Sequence, residues 1–573
     1  MCIVIRIFQQ KTKSMKLKIW ALCSLVVSLL FLFSSVQSQD EPGEVTRTYA
    51  LTNVHITTTP GTMIKNGTVV IKDGLIHSVG QDVIIPADAQ VIEADTMFLY
   101  AGFIDGLSHI GIPKPKEAER KREKDPGNPT NERAGITPEK SATSLLKATD
   151  KSISDYRAVG FTAAHTVPYG RMLPGQGSVI LLDGDNASDL IYKSDMSTYG
   201  QLLGSQGVFP NTIIAVITKY RELYKQSQQA SSHMTKYKSN SIGMKRPAYD
   251  AATLGLIPVT KRQSTLFMSA HDHLDIHRVL GLQKDLGFKM ALANVKNAYR
   301  LTDLIRTKNI PVLLSLDLFK KEKEKKKKKE KKEKDMWDKE KEALNKRKAE
   351  ERKSIEGQAA AFSKKGIRFG FSTDGASAKT VMDNVRRLIK AGLSEDAALA
   401  ALTTYPAQIL GVSQTMGTVQ NGKIANLVVS KTPIFDEKSK VRYVFVDGNL
   451  HEYEEKKKDA KKKEGKVSDK NKAYAGTWEF SINIGDDVLK GEIVITESED
   501  GTLQGEMTGA QLDSTVEIEE ITIDGDELSF TADAEGDTIS WKGTIDGDSI
   551  EGEVNAGPMG TFPITATRTS SPE

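Results

Sequence analysis

Short runs of alternating apolar and polar residues, broken by Gly, Asn and Asp, fill residues 45–100. On this pattern Tyr49–Ile56, Thr68–Ile71 and Leu75–Val79 are strands, with turns at Lys65-Asn66-Gly67 and Lys72-Asp73-Gly74, so a small sheet is predicted. The same texture returns at 417–452, in Gly417-Thr418-Val419, Ala425–Ser430 and Val441–Val446 before Asp447-Gly448. Between them, apolar runs alternate with amphipathic segments, the pattern of a βα-repeating unit. Strands are predicted at Phe98–Ile104, Phe161–Thr166, Ser178–Leu182, Leu266–Ala270, Met290–Ala293, Pro311–Leu316 and Ile367–Ser372. Helices are predicted at Lys140–Val159, Ile276–Leu286, Ala298–Lys308, Ala378–Ala391 and Glu395–Leu410. Seven strands over about 310 residues are the size of a (β/α)8 barrel with one strand unplaced. The expected class is therefore α/β: a TIM barrel over 104–414, with a small composite β-sandwich domain built from both flanks, 45–103 and 415–455.

Two charged stretches interrupt the pattern. Lys320–Lys353 holds 18 basic and 10 acidic residues and is expected to be a solvated helix inserted in a barrel loop, with a docking arm for anionic surfaces as the less favoured reading. Residues 456–472 form a Lys-rich linker without hydrophobic period. Beyond it, from 473 to 573, seven or eight short alternating strands at roughly ten-residue spacing predict an all-β barrel or sandwich.

Composition adds compartment and partners. The 573 residues are 39% hydrophobic and 27% charged, which excludes a collagen-like, wholly disordered or multi-span membrane chain. Net charge is only +4, but 473–573 carries 23 acidic against 3 basic residues, leaving the rest strongly basic; such asymmetry predicts surfaces of opposite sign, within one molecule or between molecules. Without aromatic interleaving of its lysines, no nucleic-acid partner is expected. Met15-Lys16-Leu17-Lys18, the apolar run Ile19–Val36 and the small residue Ser38 read as a signal peptide over 1–38. An uncleaved anchor is the rival, since about 18 apolar residues approach the length of a span; cleavage gives an exported protein, periplasmic or secreted, with no further membrane association. Both cysteines, Cys2 and Cys23, would leave with that segment, so disulfides and thiolate metal sites are not expected in the mature chain.

Candidate chemistry lies at three strand ends. Tyr100-Ala101-Gly102-Phe103-Ile104-Asp105-Gly106-Leu107-Ser108-His109 resembles the Gly-Phe-Ile-Asp-x-His-x-His signature of the metal-dependent amidohydrolases, in particular their imidazolonepropionase-like branch. In that family two alternating histidines at the first barrel strand reach one metal; here the first position is Leu107 and only His109 matches. Leu266–Ala270 followed by His271 resembles the family's fifth strand, which makes His271 a metal ligand by resemblance. His273 and His277 are extras, and a strand running on through 273 would pair His271 with His273. The next strand offers Asn294 where the general pattern has a histidine, and no Lys or Glu bridging ligand is evident on the fourth strand. Gly370-Phe371-Ser372-Thr373-Asp374-Gly375 resembles the eighth strand, whose aspartate binds metal and takes a proton from water. On its own, Asp374 reads more readily as a turn or helix-cap residue; the run Leu399–Ala407, Gly411 and Gly417-Thr418-Val419, similar to the family's tail, raises the functional reading.

The C-terminal segment, opening on Gly476-Thr477-Trp478, resembles lipocalin-like barrels, and by that analogy Arg568 stacks on Trp478. His165 and His273 are weaker substrate-binding candidates, and His165 reads more readily as a structural histidine.

The resemblance implies a hydrolase of a non-peptide C–N bond, in a cyclic or N-acyl amide. His109, His271 and Asp374 would hold one divalent metal, zinc by the usual preference, with Asp374 as base. The alternative is a catalytically impaired barrel acting as partner or scaffold for an intact paralogue, or as carrier for the acidic β domain; the assembly expected beside a small-molecule substrate is a homo-oligomer or a pairing with a paralogous subunit.

Overall fold

In the computed structural model the chain divides into two compact units, Met1–Glu455 and Lys456–Glu573. The structure describes residues 47–115, 123–319 and 336–453 of the first unit, and 474–484, 487–497, 503–509, 515–524, 527–534, 537–555 and 560–570 of the second. The expected signal peptide, the Lys-rich linker 456–472 and residues 320–335 of the charged insertion lie outside the described residues. No helix among those described is long and apolar enough to cross a membrane.

The N-terminal flank supplies β1 (Tyr49–Thr59), β2 (Thr62–Lys72), β3 (Leu75–Gly80), β4 (Gln90–Glu93) and β5 (Phe98–Ala101). The barrel follows with β6 (Phe103–Ser108), β7 (Phe161–Thr166), β8 (Gly175–Leu181), β9 (Ile191–Gln201), β10 (Thr265–Ser269), β11 (Met290–Val295), β12 (Val312–Ser315) and β13 (Phe369–Ser372). The chain returns through β14 (Leu427–Ser430), β15 (Val441–Val446) and β16 (Asn449–Glu452). Both flanks enter one eight-stranded sheet, ordered β16-β15-β14-β5-β1-β2-β3 with β4 beside β1. The antiparallel pairing of β5 with β14, Ala101 opposite Leu427, joins the two flanks. Its core of Leu51, Val54, Ile56, Val69, Leu427 and Phe445 is wholly buried.

The barrel strands follow chain order around the sheet, parallel except that β8 runs against both β7 and β9. The strand left unplaced by sequence is β9. Its buried half, Ser197-Thr198-Tyr199-Gly200, sets one large side chain, Tyr199, among small or polar residues, and its other half, Lys193-Ser194-Asp195, faces solvent, so it offers no apolar run to read. The predicted strand Phe98–Ile104 is divided between the two sheets, with Gly102 between β5 and β6 donating its N–H to Asn426 O (2.8 Å). β6 and β13 meet through Ser372 Oγ, which donates to Leu107 O at 2.8 Å. The seam depends on Gly106: a Cβ there would sit 2.7 Å from Phe371 O and 2.4 Å from a Leu313 methyl group. Gly106→Ala is expected to cost about 2–3 kcal/mol through overpacking, read as a lower urea midpoint at unchanged slope.

Three helices differ from expectation, each for a local reason. The segment 140–159 forms only a short turn at Ala142–Leu145 and a helix at Lys151–Arg157, because Ser141 and Asp150 each cap a new start. The helix expected over 395–410 breaks at Thr403 into Glu395–Leu402 and Thr404–Ile409; Pro406 cannot continue the first helix. A helix spans Met336–Lys364; its charged part 343–351 is exposed, while Ile355, Ala359, Ala360 and Phe362 turn a buried face to the barrel.

In the second unit, eight antiparallel strands, β17 (Gly476–Ile484), β18 (Asp487–Glu497), β19 (Leu503–Gly509), β20 (Val516–Asp524), β21 (Glu527–Ala534), β22 (Asp537–Asp546), β23 (Ser549–Asn555) and β24 (Thr561–Ser570), close a barrel rather than a sandwich. Strict alternation puts Trp478, Phe480, Ile493, Met507, Phe530, Trp541 and Ile564 inside. Where β24 returns to β17, the Arg568 guanidinium lies 4.3 Å over the Trp478 ring.

Candidate active site

The C-terminal ends of the barrel strands carry the candidate chemistry, the face where loops of this architecture hold their sites. His109 follows β6, Tyr169 follows β7, Asn294 lies near the end of β11, and Asp374 follows β13. His109, Tyr169 and Asp374 border a cleft of about 420 Å³ whose walls also include Ile110, Ile112 and Tyr156, with Lys114 and Asp150 contributing.

The ends of β6 and β13 are tied by a buried carboxyl group. Asp105 is fully buried; it accepts from the N–H groups of Thr373 (3.1 Å) and Leu107 (3.2 Å) and, in a short bond, from Thr373 Oγ1. Burial pushes its pKa up to about 7, against the opposing pull of those donors. One side chain thus fixes both backbone segments that present His109 and Asp374.

His109 has a defined tautomer. Its Nδ1 lies 2.7 Å from Val167 O, and a carbonyl oxygen only accepts, so Nδ1 carries the hydrogen. Burial pushes the imidazole pKa down, opposed by the Asp374 charge, which favours a neutral ring with Nε2 as its acceptor. That acceptor faces Asp374 Oδ1 at 3.6 Å. Tyr169 stacks on the other side of the ring at 3.8 Å between centroids and holds its plane. The second oxygen of Asp374 accepts from Asn294 Nδ2 at 2.8 Å.

Two acceptors facing each other across 3.6 Å repel unless a proton or a cation lies between them. Nδ1–H to carbonyl is also the outer hydrogen bond that aims a metal-ligating imidazole. The pair offers a divalent cation two donors, His109 Nε2 and Asp374 Oδ1, short of the three protein ligands of a usual catalytic site. Among the described residues, no three His, Cys, Asp or Glu side chains gather closely enough to hold one metal ion.

His271 does not join the pair. The Lys296 and Asn297 N–H groups both donate to its carbonyl, its Nε2 lies 3.3 Å from Ser269 Oγ, and the residue is exposed. β10 ends at Ser269 and Asp272 caps a helix beginning at His273, accepting from Leu274 N and Asp275 N. His271 and His273 therefore do not alternate along one strand, and His273 is half-buried on the helix. His165 is fully buried, with Nδ1 bonded to Gly106 O (2.8 Å) and Nε2 to Ser197 Oγ (2.7 Å); burial lowers its pKa to about 4. Both its nitrogens serve the barrel interior, away from the cleft lining. Leu107 is fully buried.

Sequence reasoning passed over Asp105, Tyr156 and Tyr169 as site residues. Tyr169 carried a usable signal, an aromatic side chain just past the end of a barrel strand. Asp105 stood inside the quoted motif, but its tie to Thr373 spans 268 positions and leaves no local trace.

Residues 302–451 match the model of the amidohydrolase family. No curated protein sequence matches the chain. Among solved structures, the chain is similar to an amidohydrolase from Thermotoga maritima MSB8, at 21% identity over 70% of this chain and 99% of that one, with a TM-score of 0.58. A putative prolidase from Bifidobacterium longum aligns at 14% identity over 70% and 94%, TM-score 0.42. An N-acetylglucosamine-6-phosphate deacetylase from Pasteurella multocida aligns at 14% over 71% and 100%, TM-score 0.34. The first likeness defines the class of fold, an amidohydrolase barrel with its composite β-sheet, and the family match lies within it, over the last barrel strands and the return to the sheet.

Proposed function

We propose that the first unit hydrolyses a non-peptide C–N bond, in a cyclic or N-acyl amide, with Asp374 as the base. The observation that carries this is His109 Nε2 facing the Asp374 carboxylate at 3.6 Å beside a cleft partly walled by Ile110, Ile112 and Tyr156. A divalent cation held by His109 and Asp374, zinc by its preference for nitrogen and oxygen donors, would polarise the carbonyl and lower the pKa of water. The chain's own residues do the rest. Asp374 accepts the proton of the attacking water at Oδ1, while Asn294 holds its other oxygen still. Tyr169 and Val167 O keep the His109 ring from rotating, and Ile110, Ile112 and Tyr156 shelter the reacting amide from bulk water.

A second reading, a barrel without turnover that serves an intact paralogue as partner, is favoured by the exposed His271 and the buried Leu107. Screening the full chain with zinc or manganese against cyclic and N-acyl amides separates the two. The hydrolase reading predicts turnover that is lost in His109→Ala; a folded, cation-loaded chain that turns over none of them supports the partner reading instead.

A further inference from the structure

We propose that a second cavity, between the composite sheet and the helix Glu395–Leu402, binds a small organic amine, its apolar body against Phe98, Tyr100 and Phe435 and its ammonium group toward Glu395 and Asp396. The cavity measures about 330 Å³, and its lining shares no residue with the cleft bordered by His109 and Asp374. The sheet forms one wall. Alternation along β1 and β5 gives Ile56 and Leu99 to the sheet's own core and puts Thr57 and Tyr100 on the opposite face, where both line the cavity. Met63, opposite Thr57 on β2, leaves an apolar side chain 47% exposed in the same lining. Aromatic and apolar walls with a few polar groups are the usual make-up of a small-molecule site.

The polar groups select the ligand's charge. Thr57 is 7% exposed, and its Oγ1 is buried without a hydrogen-bond partner among the described residues. Buried hydroxyls are nearly always paired, so a lone acceptor on a cavity wall points to a donor that belongs there. Glu395 and Asp396 line the cavity, and no Lys, Arg or His shares that lining. The Arg386 guanidinium reaches the Phe435 carbonyl (3.2 Å) but is paired with Asp383 (2.7 Å). Burial pushes the Tyr100 pKa up to about 12, against a hydrogen bond from the Ile434 N–H, and the charges of Glu395 and Asp436 push the same way. Negative charge thus gathers about a neutral phenol ring. The dipole of the helix, capped at Ser394, accounts for carboxylates in its first turn. It does not account for aromatic side chains beside them or for the unpaired Thr57 hydroxyl. An ammonium group answers all three: it donates to Thr57 Oγ1, offsets the carboxylates and is attracted to the faces of aromatic rings. A carboxylate on the same body would be repelled.

The test is titration calorimetry and ligand-observed NMR on the full chain, with three probes that share one body: phenethylamine, phenethyl alcohol and hydrocinnamate. Phenethylamine is expected to bind with a dissociation constant of about 1 mM or lower, and the other two roughly tenfold more weakly or not at all. The chain carrying Glu395→Gln and Asp396→Asn together, checked for folding by circular dichroism, is expected to lose about tenfold in amine affinity. Thr57→Val keeps the side chain's shape, removes the unpaired hydroxyl, and is expected to weaken the amine while leaving the urea midpoint unchanged or raised. Equal binding of amine and carboxylate, or no amine binding at about 10 mM, would overturn the inference. So would phenethylamine binding that is lost in Asp374→Ala and kept in the Glu395→Gln, Asp396→Asn chain, since the amine would then sit in the other cleft.

Discussion

Replacing Asp374 by Ala is expected to lower amide hydrolysis roughly 10²–10⁴-fold, the usual contribution of a positioned base, while changing folding stability by no more than about 1 kcal/mol. The two effects separate because of what the side chain touches. Its loss removes the acceptor of one Asn294 hydrogen bond, and it also removes an oxygen that repels the His109 lone pair. Residues placed for chemistry are commonly neutral or costly to stability, and Asp374 has that position. Progress curves on whichever amide the screen identifies, with urea denaturation of the same preparation, check both halves. A large fall in stability would make Asp374 a structural residue.

Asp105 has the opposite profile. Asp105→Ala leaves the N–H groups of Leu107 and Thr373 and the Thr373 hydroxyl without their acceptor in a fully buried seam, and is expected to cost about 3–5 kcal/mol. Its ionisation adds a pH signature. The folded-state pKa is about 7, raised from an ordinary value of 3.8, so between these the folded chain holds a proton that the unfolded chain has released. Stability from this group is therefore greatest below about pH 4 and declines as pH rises toward 7, by up to about 4 kcal/mol. Asp105→Asn cannot titrate and is expected to lose that decline. The comparison is the difference in urea midpoint between the two chains from pH 4 to pH 7, since groups such as Asp183, whose pKa is lowered, act in the opposite sense. An unchanged difference across that window would contradict a raised pKa at Asp105.

The barrel and the composite sheet were legible because their strands carry apolar periodicity and because 49–101 and 427–452 share one texture that pairs in space. β9 escaped because its buried half, Ser197-Thr198-Tyr199-Gly200, holds a single large side chain and gives no apolar run to read. At the site, the ends of β6 and β13 were legible as motifs, and His109 and Asp374 do face each other. Their relation was not: the tautomer of His109 is set by Val167 O, 58 positions away, and the orientation of Asp374 by Asn294, 80 positions away. His271 was placed by resemblance to a strand end. What directs its side chain is local backbone chemistry, the pinned carbonyl and the Asp272 cap, which a motif does not encode. Asn294 read as a histidine lost from a pattern; in the fold it is a hydrogen-bond donor in its own right.

The chemistry at this cleft requires His109 to present an unprotonated Nε2 to Asp374. Nitrogen NMR of the full chain labelled at its nine histidines, with His109 assigned by its disappearance in His109→Gln, tests this at neutral pH. One protonated and one bare ring nitrogen are expected, with the bare nitrogen shifting when zinc is added. Two protonated nitrogens, unmoved by zinc, would show an imidazolium paired with Asp374 and would contradict it.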